Sequence, residues 1–138
     1  MPHRMELTIP SDPRWLRMVR AMMEEVSRQA GFDEKEGCEV VIAVDEALSN
    51  VMKHSYKGDP NKLVSLSCIT EDGSLEVVLR DQGEVLDLER CEPKAPDEMR
   101  VGGRGIFLMR CTMDEVEYQR DGDTNLIRLR KHSKAKAR

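Results

Sequence analysis

A chain of 138 residues with 39% apolar and 35% charged side chains can bury one hydrophobic core without disulfides and is too apolar to stay disordered. Its formal charge of −4 argues against nucleic acid as a direct partner, and no signal-like or long apolar run argues for secretion or membrane spanning. Four cysteines placed singly, Cys38, Cys68, Cys91 and Cys111, with no CxxC pair, fit reduced thiols in a cytoplasm and carry no metal signature.

The elements read as follows in chain order. "RMELTIP" alternates Met5, Leu7 and Ile9 with polar neighbours and predicts a strand. Ser11 or Asp12 then caps a helix with Pro13 in its first turn, and Leu16, Val19, Met22, Met23 and Val26 recur at helical spacing until Gly31. Its arginines Arg14, Arg17 and Arg20, set among the Met-rich positions, make a candidate docking surface or an ordinary solvated face. A second helix is expected from about Glu34 to Ser55, ended by "KGDPN". "LVSLSCI" and "LEVVLRD" alternate around Glu71-Asp72-Gly73-Ser74 and predict a β-hairpin. From Gln82 to Val101 the pattern dissolves into a polar loop, long enough to be functional rather than merely connective. A glycine cluster then runs into a third apolar helix in "GGRGIFLMRCTM", and "EVEY", a "RDGD" turn and "NLIRL" form a second hairpin. Residues 131–138 are basic and read as a flexible tail. The order predicts a single α+β domain over 1–138, a two-layer sandwich with three helices on one face of a mixed, mainly antiparallel sheet.

Three stretches carry polar residues where packing alone would not put them. Glu46, Asn50 and His54 lie four residues apart and form one stripe on the second helix, opposite Val44, Ala47, Leu48 and Val51. A carboxylate one turn before a carboxamide suits Mg²⁺, which takes one or two hard oxygens from protein and the rest from phosphate and water. The carboxylate could equally act as a general base, and the bland alternative is a wet helix face. Asp81 shares strand parity with Leu75, Val77 and Leu79, so its carboxylate points toward the core and needs a partner there, such as the exocyclic amine of adenine; a turn-capping Asp before Gly83 is the plainer reading. Gly102, Gly103 and Gly105 at a helix start allow backbone N–H groups to approach an anion, with Arg104 beside them to meet phosphate or water.

In this order, "EALSNVMKH", "LRDQG", a long loop and "GGRGIFLMR" resemble the N box and the two glycine boxes of the GHKL (Bergerat-fold) ATPase superfamily. "GGRGIFLMRCTMDEVEY" is similar to one branch, the bacterial anti-sigma-factor serine/threonine protein kinases, and the likeness runs from about Met5 to Leu129. The resemblance implies ATP and Mg²⁺ as cofactors. Asn50 matches the metal ligand, Glu46 the residue that orients or deprotonates the attacking hydroxyl, Asp81 the adenine-reading carboxylate and Gly83 the glycine beneath the purine. Gly103 and Gly105 match the phosphate-side glycines, residues 82–101 the nucleotide lid, and Thr124 a nucleotide-contacting Thr; His54 is given a supporting place at the phosphates. Val85 stands where many relatives have glycine, and Arg104 where they often have Leu. The implied partners are a sigma factor and a STAS-type antagonist, with a homodimer as the implied assembly. The alternatives are a nucleotide-dependent sequestering module without useful catalysis and a detached histidine-kinase catalytic domain.

Overall fold

Strand alternation accounts for the sheet. The computed structural model describes residues 2–86 and 109–134, with strands β1 (His3–Pro10), β2 (Leu63–Glu71), β3 (Ser74–Asp81), β4 (Glu115–Asp121) and β5 (Thr124–His132). They lie in the order β1-β2-β3-β5-β4. Every pairing is antiparallel, where a mixed sheet was expected. The cause is the connection between β1 and β2. Two helices folded back on each other return the chain to the end of the sheet it left, so β2 runs against β1, pairing Pro10 with Leu63.

Those helices are α1 (Leu16–Gln29) and α2 (Glu34–Asn50), the second continued by a π turn, Val51–Ser55. Asp12 caps the entry to α1, accepting from Arg14 N at 3.0 Å, with a 3-10 turn over Pro13–Trp15. A capping box starts α2: Asp33 Oδ1 accepts from Glu36 N at 2.8 Å and Glu36 Oε1 accepts from Asp33 N at 3.2 Å. Residues 109–112 are also helical. Val19 and Met23 of α1, and Val40, Ala43, Val44, Ala47 and Leu48 of α2, pack onto Leu66, Cys68, Val77, Leu79, Ile127 and Leu129 of the sheet. Burying each of the larger side chains contributes about 1.5–3 kcal/mol, which fixes the two layers against each other.

The tail expectation needs correction over its first half. Lys131 lies in β5, is buried, and donates to Glu39 Oε2 at 3.2 Å and to Thr112 O. Ser133 Oγ donates to Glu36 Oε1 at 3.0 Å and Lys134 N to Glu36 Oε2 at 2.9 Å. Basic composition suggested solvent; the buried Glu36 and half-buried Glu39 on α2 supply partners instead. The opposite sheet face is uncovered by the described helices. There Arg128 and Arg130 both bond to Glu76, at 2.9 and 3.1 Å, and reach on to Glu117 and Glu115 at 3.3 and 2.7 Å.

Candidate functional site

The second helix ends with an extra residue in its last turn. Tyr56 N donates to Val51 O at 2.9 Å, a five-residue spacing that defines a π turn, and Asn50 stands immediately before it. The turn changes which side chains face inward. Glu46 is half-buried and Asn50 buried, as one stripe requires, but the next inward position falls on Ser55, which is buried, while His54 is exposed. The expected stripe therefore breaks at its last member. A regular α-turn would place residue 54 below Asn50; the added residue rotates it outward and brings residue 55 in.

Ser55 meets Asp81 at the end of β3. The parity argument holds: Asp81 is 3% exposed and faces the helices. Its Oδ1 accepts three hydrogen bonds, from Ser55 Oγ at 2.7 Å, Gly83 N at 2.9 Å and Asn125 Nδ2 at 2.9 Å. Its Oδ2 is buried with no partner among the described residues, and so is Asn50 Nδ2. A buried polar atom left unbonded costs about 1–3 kcal/mol, more when charged, so an added partner at either atom would recover that cost. No hydrogen bond or ion pair among the described residues engages Glu46; the neighbouring Asp45 is held by Arg20 Nε at 2.7 Å.

Gly83 belongs here for steric reasons. A Cβ on it would sit 2.4 Å from Ser55 O and 2.9 Å from Tyr56 Cδ1, so only glycine allows β3 to leave the sheet flush against the π turn. Glu84 N then donates to Ser55 O at 2.8 Å, and Tyr56 OH donates to Leu63 O at 2.6 Å while accepting from Gln82 N at 2.8 Å. Burial pushes the Tyr56 phenol above its ordinary value, the Gln82 bond opposing and the Asp81 charge adding, which keeps it protonated and donating.

Thr124 opens β5 at the hairpin turn, half-buried, its hydroxyl 3.1 Å from Asp123 Oδ1. The residue that pairs with Asp81 across the sheet is its neighbour Asn125, fully buried. Asn125 Oδ1 accepts from Tyr118 OH at 2.5 Å and from Arg120 Nη1 at 3.0 Å. Ser55, Tyr118, Arg120 and Asn125 escaped the sequence reading. For Asn125 a signal existed, since it shares strand parity with the buried Ile127 and Leu129. Gly102, Gly103, Arg104, Gly105 and all but the first five residues of the expected 82–101 lid lie outside the described residues. Among the described residues there is no cluster of three or more His, Cys, Asp or Glu that could hold a metal, and no helix is long and apolar enough to cross a membrane.

Residues 9–131 match the family model of the histidine kinase-like ATPase domain. The chain belongs to that family. Within it, the chain is similar to the serine-protein kinase RsbW of Bacillus subtilis strain 168, 32% identical over 122 residues that cover 83% of this chain and 76% of the relative. It is likewise similar to RsbW of Listeria monocytogenes serotype 4b strain F2365, 30% identical over 135 residues covering 92% and 86%. Two solved structures share the fold of this ATPase-family chain. The RsbU and RsbW domains of Rv1364c from Mycobacterium tuberculosis superpose with a TM-score of 0.66 at 17% identity, over 94% of this chain and 32% of that one. The SiaB-SiaC complex from Pseudomonas aeruginosa gives a TM-score of 0.67 at 14% identity, covering 92% and 87%.

Proposed function

We propose that this chain is a Mg²⁺- and ATP-dependent serine/threonine protein kinase that also sequesters a sigma factor, and that its phosphoryl acceptor is a Ser or Thr on a STAS-type antagonist. The observation that carries the nucleotide assignment is Asp81: one carboxylate oxygen saturated by three donors, the other buried and unbonded among the described residues. A purine 6-amino group is a donor that would complete it. Gly83 lets the base lie against backbone beside Ser55 and Tyr56.

The chemistry asked of the remaining residues is mostly positioning. Asn50, one turn beyond Glu46, would hold Mg²⁺ through its carboxamide oxygen together with phosphate oxygens and water, while its buried Nδ2, unbonded among the described residues, would donate to a phosphate oxygen; when bound, the ion supplies neutralisation of phosphate charge. Glu46, with no hydrogen bond or ion pair among the described residues, would accept the proton of the substrate hydroxyl as its oxygen bonds to the γ-phosphorus and the bond to the β–γ bridging oxygen breaks, releasing ADP. The glycine cluster at 102–105 would cradle the phosphates through backbone N–H groups. At the start of the first helix, Trp15 of the 3-10 turn and Met18 of α1 are 38% and 41% exposed and Arg17 of α1 has no partner among the described residues, so this face is the one offered to a protein partner.

Glu46→Ala tests the assignment. The variant should bind ATP as wild type does and fail to transfer ³²P from ATP to a recombinant STAS-type antagonist. A wild type that binds ATP and labels no antagonist would remove the kinase role and leave sequestration alone.

A further inference from the structure

The surroundings of Asp81 are more ordered than a single acceptor requires. Asn125 sits opposite it across β3 and β5, with Nδ2 2.9 Å from Asp81 Oδ1 and 2.7 Å from Glu84 O. Its amide has one allowed orientation. Tyr118 OH and Arg120 Nη1 both donate to Asn125 Oδ1, while Asp81 Oδ1, Ser55 Oγ and Glu84 O surround Nδ2 as acceptors. A flipped amide would set donors against donors on one side and acceptors against acceptors on the other. The same two residues of β4 hold the chain that follows Asp81: Arg120 Nη1 donates to Gly83 O at 2.9 Å, and Leu86 N donates to Tyr118 OH at 3.0 Å.

We infer that Asn125, oriented by Tyr118 and Arg120, is a positioning residue that sets nucleobase selectivity. It holds Asp81 so that Oδ2 alone faces the base as a fixed acceptor, favouring a purine with a 6-amino donor over one with a 6-oxo acceptor. The inference rests on the nucleotide reading of this site and goes beyond it in assigning selectivity to a residue that need not touch the base. A carboxylate free to turn could meet either purine through an intervening water. One pinned on Oδ1 by Ser55, Gly83 N and Asn125 presents an unpaired oxygen to the 6-oxo group and repels it.

The test uses the full chain with Mg²⁺ and two probes, ATP and ITP, titrated calorimetrically; ITP replaces the 6-amino donor by a 6-oxo acceptor and carries a proton on N1. Wild type should prefer ATP by about 30-fold or more, since a site built to bond a donor rejects the analogue lacking it. Asn125→Leu, which removes every polar contact at this position, should bring the two affinities within about threefold of each other, and Asn125→Thr, which keeps one donor, should retain most of the preference. If Asn125→Leu weakens both nucleotides equally and leaves their ratio unchanged, the residue is only structural and the inference falls. Tyr118→Phe deletes one hydroxyl at the edge of the network and guards against an unfolded Leu variant; a lowered ratio supports the inference and an unchanged one overturns it. A wild type that binds neither nucleotide would sink the nucleotide reading itself, an outcome distinct from a ratio that fails to move.

Discussion

Gly83→Ala is the sharpest perturbation of the site that leaves every named side chain in place. An added Cβ would lie 2.4 Å from Ser55 O, whereas a carbon and a carbonyl oxygen settle at about 3.3 Å, so one backbone must retreat by about 0.9 Å. The movement breaks two bonds at once: Glu84 N to Ser55 O, at 2.8 Å, and Gly83 N to Asp81 Oδ1, at 2.9 Å. A neutral bond is worth about 1 kcal/mol and one to a charged group about 2, so the expected loss is about 3 kcal/mol. If the loss appears as global stability, the melting temperature falls by about 10 °C for a domain of this size. If the fold absorbs the shift, ATP affinity falls by about 100-fold instead. Scanning calorimetry with and without Mg·ATP separates the two. Gly122→Ala is the control, since Gly122 has φ +60° and nothing within 4 Å of its Cβ position. It should cost only the left-handed conformation, about 1–2 kcal/mol, with ATP affinity unchanged. A Gly83→Ala protein that melts within about 2 °C of wild type and binds ATP with wild-type affinity would refute the close-approach argument.

Asp81→Asn should raise the dissociation constant for ATP by about 100-fold, because the acceptor offered to the base loses its charge; retained affinity would count against the whole nucleotide assignment. Burial pushes the Glu36 carboxyl upward, but bonds from Lys134 N, Asp33 N and Ser133 Oγ outweigh it and hold the group below its ordinary value. A depressed carboxyl stabilises the fold above its unfolded value and loses that contribution as pH falls through the folded one. Glu36→Gln should therefore lower the melting temperature at about pH 7, with the gap to wild type narrowing as pH falls below the ordinary carboxyl value of about 4.3; a gap constant with pH would exclude this linkage. Burial also pushes the Cys68 thiol up to about 11, whereas Cys38 and Cys111 are exposed. Iodoacetamide on the native protein should thus modify Cys38 and Cys111 and spare Cys68 in peptide mass spectra, and rapid labelling of Cys68 would contradict its burial.

The fold was legible wherever period and parity decide the outcome. Leu75, Val77, Leu79 and Asp81 follow the two-residue rule of a strand, so the inward carboxylate could be read directly from the sequence. The hairpin at Asp72-Gly73 closes with Glu71 opposite Ser74, as its turn residues suggest. The site was legible only in part. His54 and Ser55 exchange places because one hydrogen bond in the second helix spans five residues instead of four, and a choice between α and π turns leaves no mark in hydrophobic spacing. Asn125 was overshadowed by Thr124 because resemblance pointed to a hydroxyl at the strand start, while the pairing of β3 with β5 that places Asn125 on Asp81 is a long-range fact. The 131–138 stretch misled for a related reason. Positive charge predicts exposure only if no carboxylate waits inside, and Glu36 and Glu39 lie nearly a hundred residues upstream.

The arginine and glutamate ladder on the sheet face that the described helices leave uncovered has a consequence for handling the protein. An antiparallel sheet face without a helix on it invites another like it to stack face to face, and this face, free of helices among the described residues, presents Glu76, Arg128, Arg130, Glu115 and Glu117 already paired with one another. A stacked copy would have to strip water from those ions without offering better partners. The pairs are half-exposed, so added salt weakens them while leaving that dehydration cost in place. The chain should consequently tolerate concentration in high salt, and replacing Glu76 with an apolar residue should turn this face adhesive before it unfolds the domain.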